Sequence, residues 1–283
     1  MKLIQSYLTK NPCFQANAAR ADSRYAAFQQ KGPRGLMLHS VGCAQPKAEV
    51  FCRGWNRADY DRACVHAFID AETGEIRQTL PWNYRGWHCG GSGNDTHVGV
   101  ELCESRHIRY RSDKPWLFEL IDAEKARADG LRTYRSAVEL FALLCSRYGL
   151  DPLRDICSHK EGCRAGIASD HGDPEHYWSG LGLSCTMDGF RADVAAAMEK
   201  PQAAAPSPAP PPASAEPEEA ALPFVDVSPG AWYAPALRWA LAHGIVSGAG
   251  DRFRPEAPCS MAMAVVLLRR LAMDLARGGD PPS

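Results

Sequence analysis

The chain has 283 residues, 45% of them hydrophobic, which is enough for one or two domains with a substantial core. Lysine and arginine total 32 against 33 aspartates and glutamates, and this balance gives no electrostatic reason to expect a nucleic-acid partner. The N-terminus turns polar too early for a secretion signal, and no apolar run approaches the ~20 residues of a membrane span. We therefore expect cytoplasmic synthesis without a signal peptide, and no membrane partner.

Hydrophobic periodicity predicts an α/β domain over residues 1–200. The pattern predicts strands near 34–39, 65–70, 75–80 and 97–102, and helices near 57–64, 133–148 and 187–199. The helix at 133–148 is the clearest, with Gly149 as its stop signal. The charged segment 105–132 is predicted to be a solvated loop or lid. These elements indicate a mixed central β-sheet flanked by helices, with the candidate site at one edge of the sheet.

Three polar residues stand in positions that suit metal ligands. His39 ends an apolar run that begins after Arg34, His159 follows Ser158 beyond the long helix, and Asp173 precedes Pro174 on an irregular segment. A hydrolytic zinc site needs three ligands of the histidine or carboxylate type and an open position for water. The sequence therefore favours a Zn²⁺-dependent hydrolase with His39, His159 and Asp173 as ligands.

Five segments, in order, resemble the zinc-dependent N-acetylmuramoyl-L-alanine amidases, a family that includes the peptidoglycan recognition proteins. The resemblance covers residues 30 to about 196, and the histidine at 171 is similar to the variant carried by clostridia and their phages. The matching segments are the strand ending in His39, residues 65–78, 85–90, 98–102, and His159 through Pro174.

The resemblance implies a role for each further site residue. Glu101 corresponds to the general base, and His171 to the group that donates to the developing oxyanion. His66 corresponds to a catalytic position near the metal. His88 and Trp87 correspond to substrate-groove residues, although Trp87 also suits a core position.

The last two ligands are separated by 14 positions, from 159 to 173, which is more than the family usually leaves. Asp173 is favoured as the third ligand because the ligand-proline pair of the family recurs at 173–174. His171 is the alternative. Cys157 and Cys163 flank His159 and are possible competitors for zinc. Without a secretion signal, we expect most of the 11 cysteines to be reduced, small apolar residues, some of which pair after release.

Beyond residue 200 the composition changes. Residues 201–222 are rich in proline and alanine and predict an interdomain linker. Residues 223–275 resemble a single S-layer homology repeat, which implies a small α-helical module that binds cell-wall polymers, and 276–283 are predicted to be a disordered tail. The family's threonine-arginine-alanine-glutamate motif is Ser260-Met261-Ala262-Met263 here, and it lacks the arginine that helps to bind the wall polymer.

A single repeat of about 50 residues buries little core. We therefore expect the module to self-associate, an expectation that a monomeric mass in solution would contradict. For the whole chain we expect a peptidoglycan hydrolase that cleaves the amide between N-acetylmuramic acid and L-alanine. It would be a phage or prophage endolysin, or an autolysin, of a Gram-positive bacterium, acting after holin-dependent release or lysis. The alternative is a non-catalytic peptidoglycan-recognition protein.

Overall fold

The computed structural model describes residues 1–199, 222–228, 234–246, 251–255 and 259–276. They fall into two units, Met1–Ala205 and Pro206–Ser283, which are described separately. The predicted linker, apart from residue 222, and the tail from residue 277 onward lie outside the described residues.

The first unit is built on a six-stranded mixed sheet with the order β1-β4-β3-β5-β2-β8. Neighbouring strands are parallel except for the pair β3 and β4. A separate antiparallel pair, β6 and β7, forms a hairpin. The strands are β1 (Leu3–Gln5), β2 (Gly35–Ser40), β3 (Ala67–Ile69), β4 (Ile76–Gln78), β5 (His97–Leu102), β6 (Ile108–Tyr110), β7 (Phe118–Leu120) and β8 (Ile156–Ser158).

Helices cover both faces of this sheet. Those of the first unit are α1 (Pro12–Ala18), α2 (Ser23–Lys31), α3 (Ala48–Trp55), α4 (Ala123–Tyr148), α5 (His159–Arg164), α6 (Glu175–Gly180) and α7 (Met187–Glu199). One core joins β2 and β5 to α4 and α7, and a second joins β3 to α1 and α3. The predicted α/β class with a mixed sheet flanked by helices is therefore confirmed.

Alternate side chains along β2 and β5 face opposite sides of the sheet, one side forming the core and the other the candidate site. Leu36 and Leu38 on β2, with Val100 on β5, point into the core beneath α4. Because successive side chains of a strand point to opposite faces, His39 and Glu101 face the other way, and they are register partners on adjacent strands. The four predicted strands are all present near their expected positions.

The helix predicted at 57–64 is wrong, because the helix in this region is α3 at Ala48–Trp55. The amide of Asn11 donates to the carbonyl oxygens of Trp55, Tyr60 and Ala63 at 3.0, 3.2 and 3.3 Å. A buried side chain from the N-terminus thus satisfies backbone acceptors that a helix would otherwise pair.

The solvated loop predicted at 105–132 is also wrong. It contains the hairpin β6–β7, and α4 begins at Ala123, where Asp122 accepts a hydrogen bond from the Lys125 amide. Asp129 and Gly130 interrupt the apolar pattern of this first part of α4. Asp129 is nevertheless buried, because it accepts a 2.7 Å hydrogen bond from Ser105 Oγ.

The second unit has a small core made by Phe224, Val227 and Leu237. Its helices are α8 (Ala234–Ala242) and α9 (Met261–Ala276). Asp226 accepts hydrogen bonds from the backbone amides of Phe253 and Arg254 at 2.8 and 2.9 Å. The described part of the predicted module therefore contains two helices. Across the described parts of both units, no helix combines the length and apolarity that crossing a bilayer requires.

Candidate metal centre

Parallel strands bring the three predicted ligands together. His39 lies near the carboxyl end of β2, and His159 begins α5 directly after β8, the parallel neighbour of β2. Asp173 lies just before α6. All three side chains are buried, and their ligand atoms lie within 4.8 Å of one another.

The distances within this group are close to those of a tetrahedral zinc site, with a different oxygen of Asp173 nearest each histidine. His39 Nδ1 lies 3.0 Å from His159 Nδ1 and 3.3 Å from Asp173 Oδ2, and His159 Nδ1 lies 3.5 Å from Asp173 Oδ1. Tetrahedral bonds of about 2.0–2.1 Å would place any two ligand atoms about 3.3 Å apart. The backbone amide of Ser40 donates to Asp173 Oδ2 at 3.3 Å and orients the carboxylate.

The ring nitrogen of His39 that points away from the ligand group, Nε2, is held by a second histidine, His88. His88 Nε2 lies 3.1 Å from the carbonyl oxygen of His97, which only accepts, so this nitrogen carries the proton. Neutral His88 then accepts at Nδ1 from His39 Nε2, 3.0 Å away. Burial lowers the pKa of both rings, which keeps them neutral. His39 is therefore held as the Nε2–H tautomer, with an unprotonated Nδ1 directed at the other two ligands.

A serine fixes the outer nitrogen of His159 in the same way. Ser169 Oγ donates to the carbonyl oxygen of Cys89 at 3.1 Å, so it accepts from His159 Nε2 at 3.2 Å. This leaves Nδ1 of His159 unprotonated as well. Such outer hydrogen bonds orient metal-binding histidines and set their tautomers.

Two bare nitrogens and a carboxylate thus face one another at hydrogen-bond distance, with no proton to share between the two rings. This arrangement repels unless a cation lies between the three groups. The donor set, the spacing and the tautomers therefore fit a zinc ion held by His39, His159 and Asp173.

Glu101 faces the same cavity, which has a volume of about 780 Å³. Its Oε2 is buried and has no hydrogen-bond partner among the described residues. Burial, followed by the negative charges of Asp173 and Glu104, raises the pKa of Glu101. A carboxylate in this position is suited to exchange a proton with a reactant beside the metal site.

A family model described as N-acetylmuramoyl-L-alanine amidase matches residues 29–176, just over half of the 283-residue chain. The chain belongs to this amidase family. A second model, the S-layer homology domain, matches residues 223–260. The resemblances stated from the sequence are thus confirmed for both regions.

The amidase is 39% identical over 56 residues to N-acetylmuramoyl-L-alanine amidase XlyA of Bacillus subtilis (strain 168), a match that covers 18% of this chain. The chain thus spans only about a fifth, 19%, of the length of that relative.

Similar solved structures include the hydrolase AmiA of Staphylococcus aureus in complex with its ligand, with a TM-score of 0.49 and 18% identity, over 70% of this chain and 83% of that one. The PlyG catalytic domain has a TM-score of 0.45 and 17% identity, over 70% and 96% of the two chains. The amidase LysC from Clostridium intestinale URNW has a TM-score of 0.32 and 16% identity, over 55% and 89%.

His171, the alternative third ligand, lies outside the ligand group of the amidase. Its ring is exposed and lines the cavity, with its centroid 4.4 Å from that of His159. Its Nδ1 lies 3.1 Å from Ser169 Oγ, so the same serine contacts both rings. The structure thus places Asp173 in the candidate ligand group and His171 on the wall of the cavity beside it.

His66 is not brought to the metal ligands. Its Nδ1 accepts from the Gly99 amide at 3.0 Å and its Nε2 donates to the Tyr84 carbonyl oxygen at 2.7 Å. Burial lowers its pKa to about 4. With both nitrogens bound to the backbone and no place in the cavity wall, His66 has no free atom to act on a substrate.

The two predicted substrate-groove residues lie in different settings. His88 touches the cavity, but its nitrogens bind His39 and the backbone, so it orients a ligand rather than contacting substrate. Trp87 lines the cavity while its Nε1 donates to Tyr25 Oη at 3.1 Å and its ring packs on the second core. Trp87 thus serves the fold and the cavity wall together.

The cysteines that flank His159 are not part of the ligand group found among the described residues. Burial raises the pKa of Cys157 to about 12, which disfavours the thiolate that binds zinc. Cys163 Sγ instead lies 3.8 Å from Asp170 Oδ1. All 11 cysteines are free.

Sequence analysis missed the residues that support the ligands. Ser169 gave no signal, because serines are common in irregular segments. Gly99 did give one, since a glycine inside a strand marks a close approach, and a Cβ there would overlap the ring of His88. A second set of residues, Glu104, Tyr110 and His176, gave no signal in the sequence either.

Proposed function

We propose that this amidase hydrolyses the amide bond between the lactyl group of N-acetylmuramic acid and the L-alanine of the peptidoglycan stem peptide. The observation that carries the proposal is the buried group of His39, His159 and Asp173, which shares one cavity with Glu101. Family membership supports this choice of substrate, and XlyA is itself named an N-acetylmuramoyl-L-alanine amidase.

Each residue has a role that follows from its position. Zinc, when bound by His39, His159 and Asp173, would polarise the amide carbonyl and lower the pKa of its water to about 7. Glu101 accepts the proton of the attacking water and returns it to the departing amine of L-alanine. His171, at the open side of the ligands, donates a hydrogen bond to the carbonyl oxygen as negative charge develops there.

A recognition protein without hydrolytic activity is the alternative. Such a protein needs the groove but neither a complete ligand set nor a base. Here the tautomers of both histidines are fixed toward the third ligand, and a buried carboxylate faces the cavity. These features support the enzyme over the recognition protein.

The test is the release of new N-terminal L-alanine from purified Gram-positive peptidoglycan, without new reducing sugar ends. We expect a chelator to abolish release and Zn²⁺, but not Mg²⁺, to restore it. New reducing ends would indicate cleavage of the glycan instead. Binding to the wall without release from any substrate would favour the recognition protein.

We propose further that the second unit places the enzyme at the wall, once release or lysis brings it there, and that it self-associates through α9. Met261, Val265 and Leu268 share one face of α9 and are 81%, 60% and 64% exposed. An exposed apolar stripe of this kind is stabilised by a partner surface, and a second copy supplies a matching one. A monomeric mass in solution would contradict self-association.

A further inference from the structure

The hairpin β6–β7 forms part of the cavity wall, and the proposed mechanism gives it no role. Tyr110, Pro115 and Trp116 of this hairpin line the same cavity as the metal ligands and Glu101. The hairpin therefore lies where the parts of a substrate that flank the scissile bond would pass.

The base of the hairpin is tied to the segments that carry the ligands. Tyr110 Oη donates to Glu104 Oε2 at 2.7 Å and lies 2.9 Å from His176 Nε2. Glu104 is fully buried, and its Oε1 accepts from the Gly42 amide at 3.1 Å. Because Gly42 follows His39 and His176 follows Asp173, this network fixes the hairpin relative to the metal centre.

Aromatic packing fixes the second strand of the hairpin. The ring of Phe118 lies 5.3 Å from that of Tyr110 and 6.0 Å from that of Tyr177, centroid to centroid. A Cβ at Gly180 would overlap the Phe118 ring, so α6 accepts this strand only with glycine at that position. The hairpin is thus held at both strands.

At the tip, Trp116 is 63% exposed although it borders the cavity. An indole this exposed adds little to the stability of the fold, whereas covering it on binding would bury a large apolar area. Its flat apolar face matches the C–H face of a pyranose ring.

Two of the three cationic side chains of the hairpin are paired with carboxylates, and the third, Lys114, is exposed. Arg109 pairs with Glu119 at 2.9 Å, and Arg111 pairs with Asp113 at 2.7 Å. These two arginines are therefore engaged within the hairpin, which leaves Lys114 as its cation for the carboxylates of a stem peptide, and the stem tripeptide is for this reason the second probe of the test.

We propose that the β6–β7 hairpin is a glycan-binding element, in which Trp116 stacks on a pyranose ring of the wall strand and Tyr110 anchors the hairpin to the metal centre. This proposal rests on the proposed function for the choice of substrate. Sugar binding can nevertheless be measured whether or not the amide is cleaved.

The test measures binding of a peptide-free N-acetylglucosamine tetramer to the full chain by calorimetry, with the free stem tripeptide as a second probe. Trp116→Ala should weaken tetramer binding about tenfold and leave tripeptide binding unchanged. Tyr110→Phe should weaken it by a smaller factor. Leu153→Ala, which removes a 62% exposed residue outside the cavity wall, should have no effect.

If Trp116→Ala weakens tripeptide binding instead, or changes neither probe, the glycan proposal is wrong even in an active amidase. Unchanged tetramer binding in Tyr110→Phe would overturn the anchoring role. Conversely, a Trp116-dependent affinity for the tetramer without release of L-alanine would overturn the proposed hydrolysis and keep the glycan element.

Discussion

Replacing Glu101 with glutamine is expected to lower the rate of L-alanine release by about 10²- to 10⁴-fold. The amide is nearly isosteric with the carboxyl group but cannot accept a proton from the attacking water. Because Oε2 of Glu101 has no partner in the described structure, the substitution breaks no hydrogen bond at this oxygen. We therefore expect the fold and the zinc content to be retained, as measured by circular dichroism and metal analysis.

The pH dependence gives a second measurement of this prediction. Burial and the charges of Asp173 and Glu104 raise the pKa of Glu101, and a bound cation would lower it again. Only the anion can act as a base, so activity should fall as pH decreases through this pKa, and Glu101→Gln should lose that acid limb. Glu175→Gln, at a half-buried glutamate outside the cavity wall, is the matched control. A Glu101→Gln rate within tenfold of the parent would contradict the assignment.

Replacing Asp173 with alanine is expected to remove both the metal and the activity. Without the carboxylate, the two bare Nδ1 atoms of His39 and His159 remain, and two neutral ligands bind zinc poorly. Metal content after dialysis and competition with a coloured chelator measure this loss directly.

Two neighbouring substitutions serve as graded controls. His171→Ala should keep a full equivalent of zinc and lose rate, because His171 stands outside the ligand group. Ser169→Ala removes the hydrogen bond to Nε2 of His159, together with the contacts of Ser169 to Cys89 and His171, and should weaken zinc affinity by about 10- to 100-fold. Loss of zinc in His171→Ala, with zinc retained in Asp173→Ala, would reverse the ligand assignment.

The sequence predicted the strands and the candidate ligands that the structure brings together, for one physical reason. A polar residue at the end of an apolar run is costly unless it has a use, and the carboxyl ends of parallel strands meet at one edge of a sheet. His39 at the end of β2 and His159 after β8 follow this rule. Glu101 follows the alternation of β5.

The errors have a common origin in contacts between distant residues. Periodicity could not show that Asn11 binds the carbonyls of 55–63, or that Ser105 compensates the buried Asp129. Local sequence context also could not distinguish the roles of His66 and His88, because it predicts that both lie near the metal site. Only the hydrogen-bond partners of the ring nitrogens show that His66 is bound to the backbone, whereas His88 orients His39.

The hydrogen bonds of Asn11 also limit which segment of this enzyme can be transferred into a chimeric protein. The family match begins at residue 29, yet the segment that Asn11 binds supplies Asp61, Arg62 and Ala63 to the cavity wall. At the other end, Phe190 of α7 completes the core beneath the sheet but lies beyond residue 176. A transferred segment that begins and ends at the limits of the family match would contain the metal ligands but lack residues that support the cavity wall and the core. We therefore expect a chimeric enzyme to need the segment from β1 through α7.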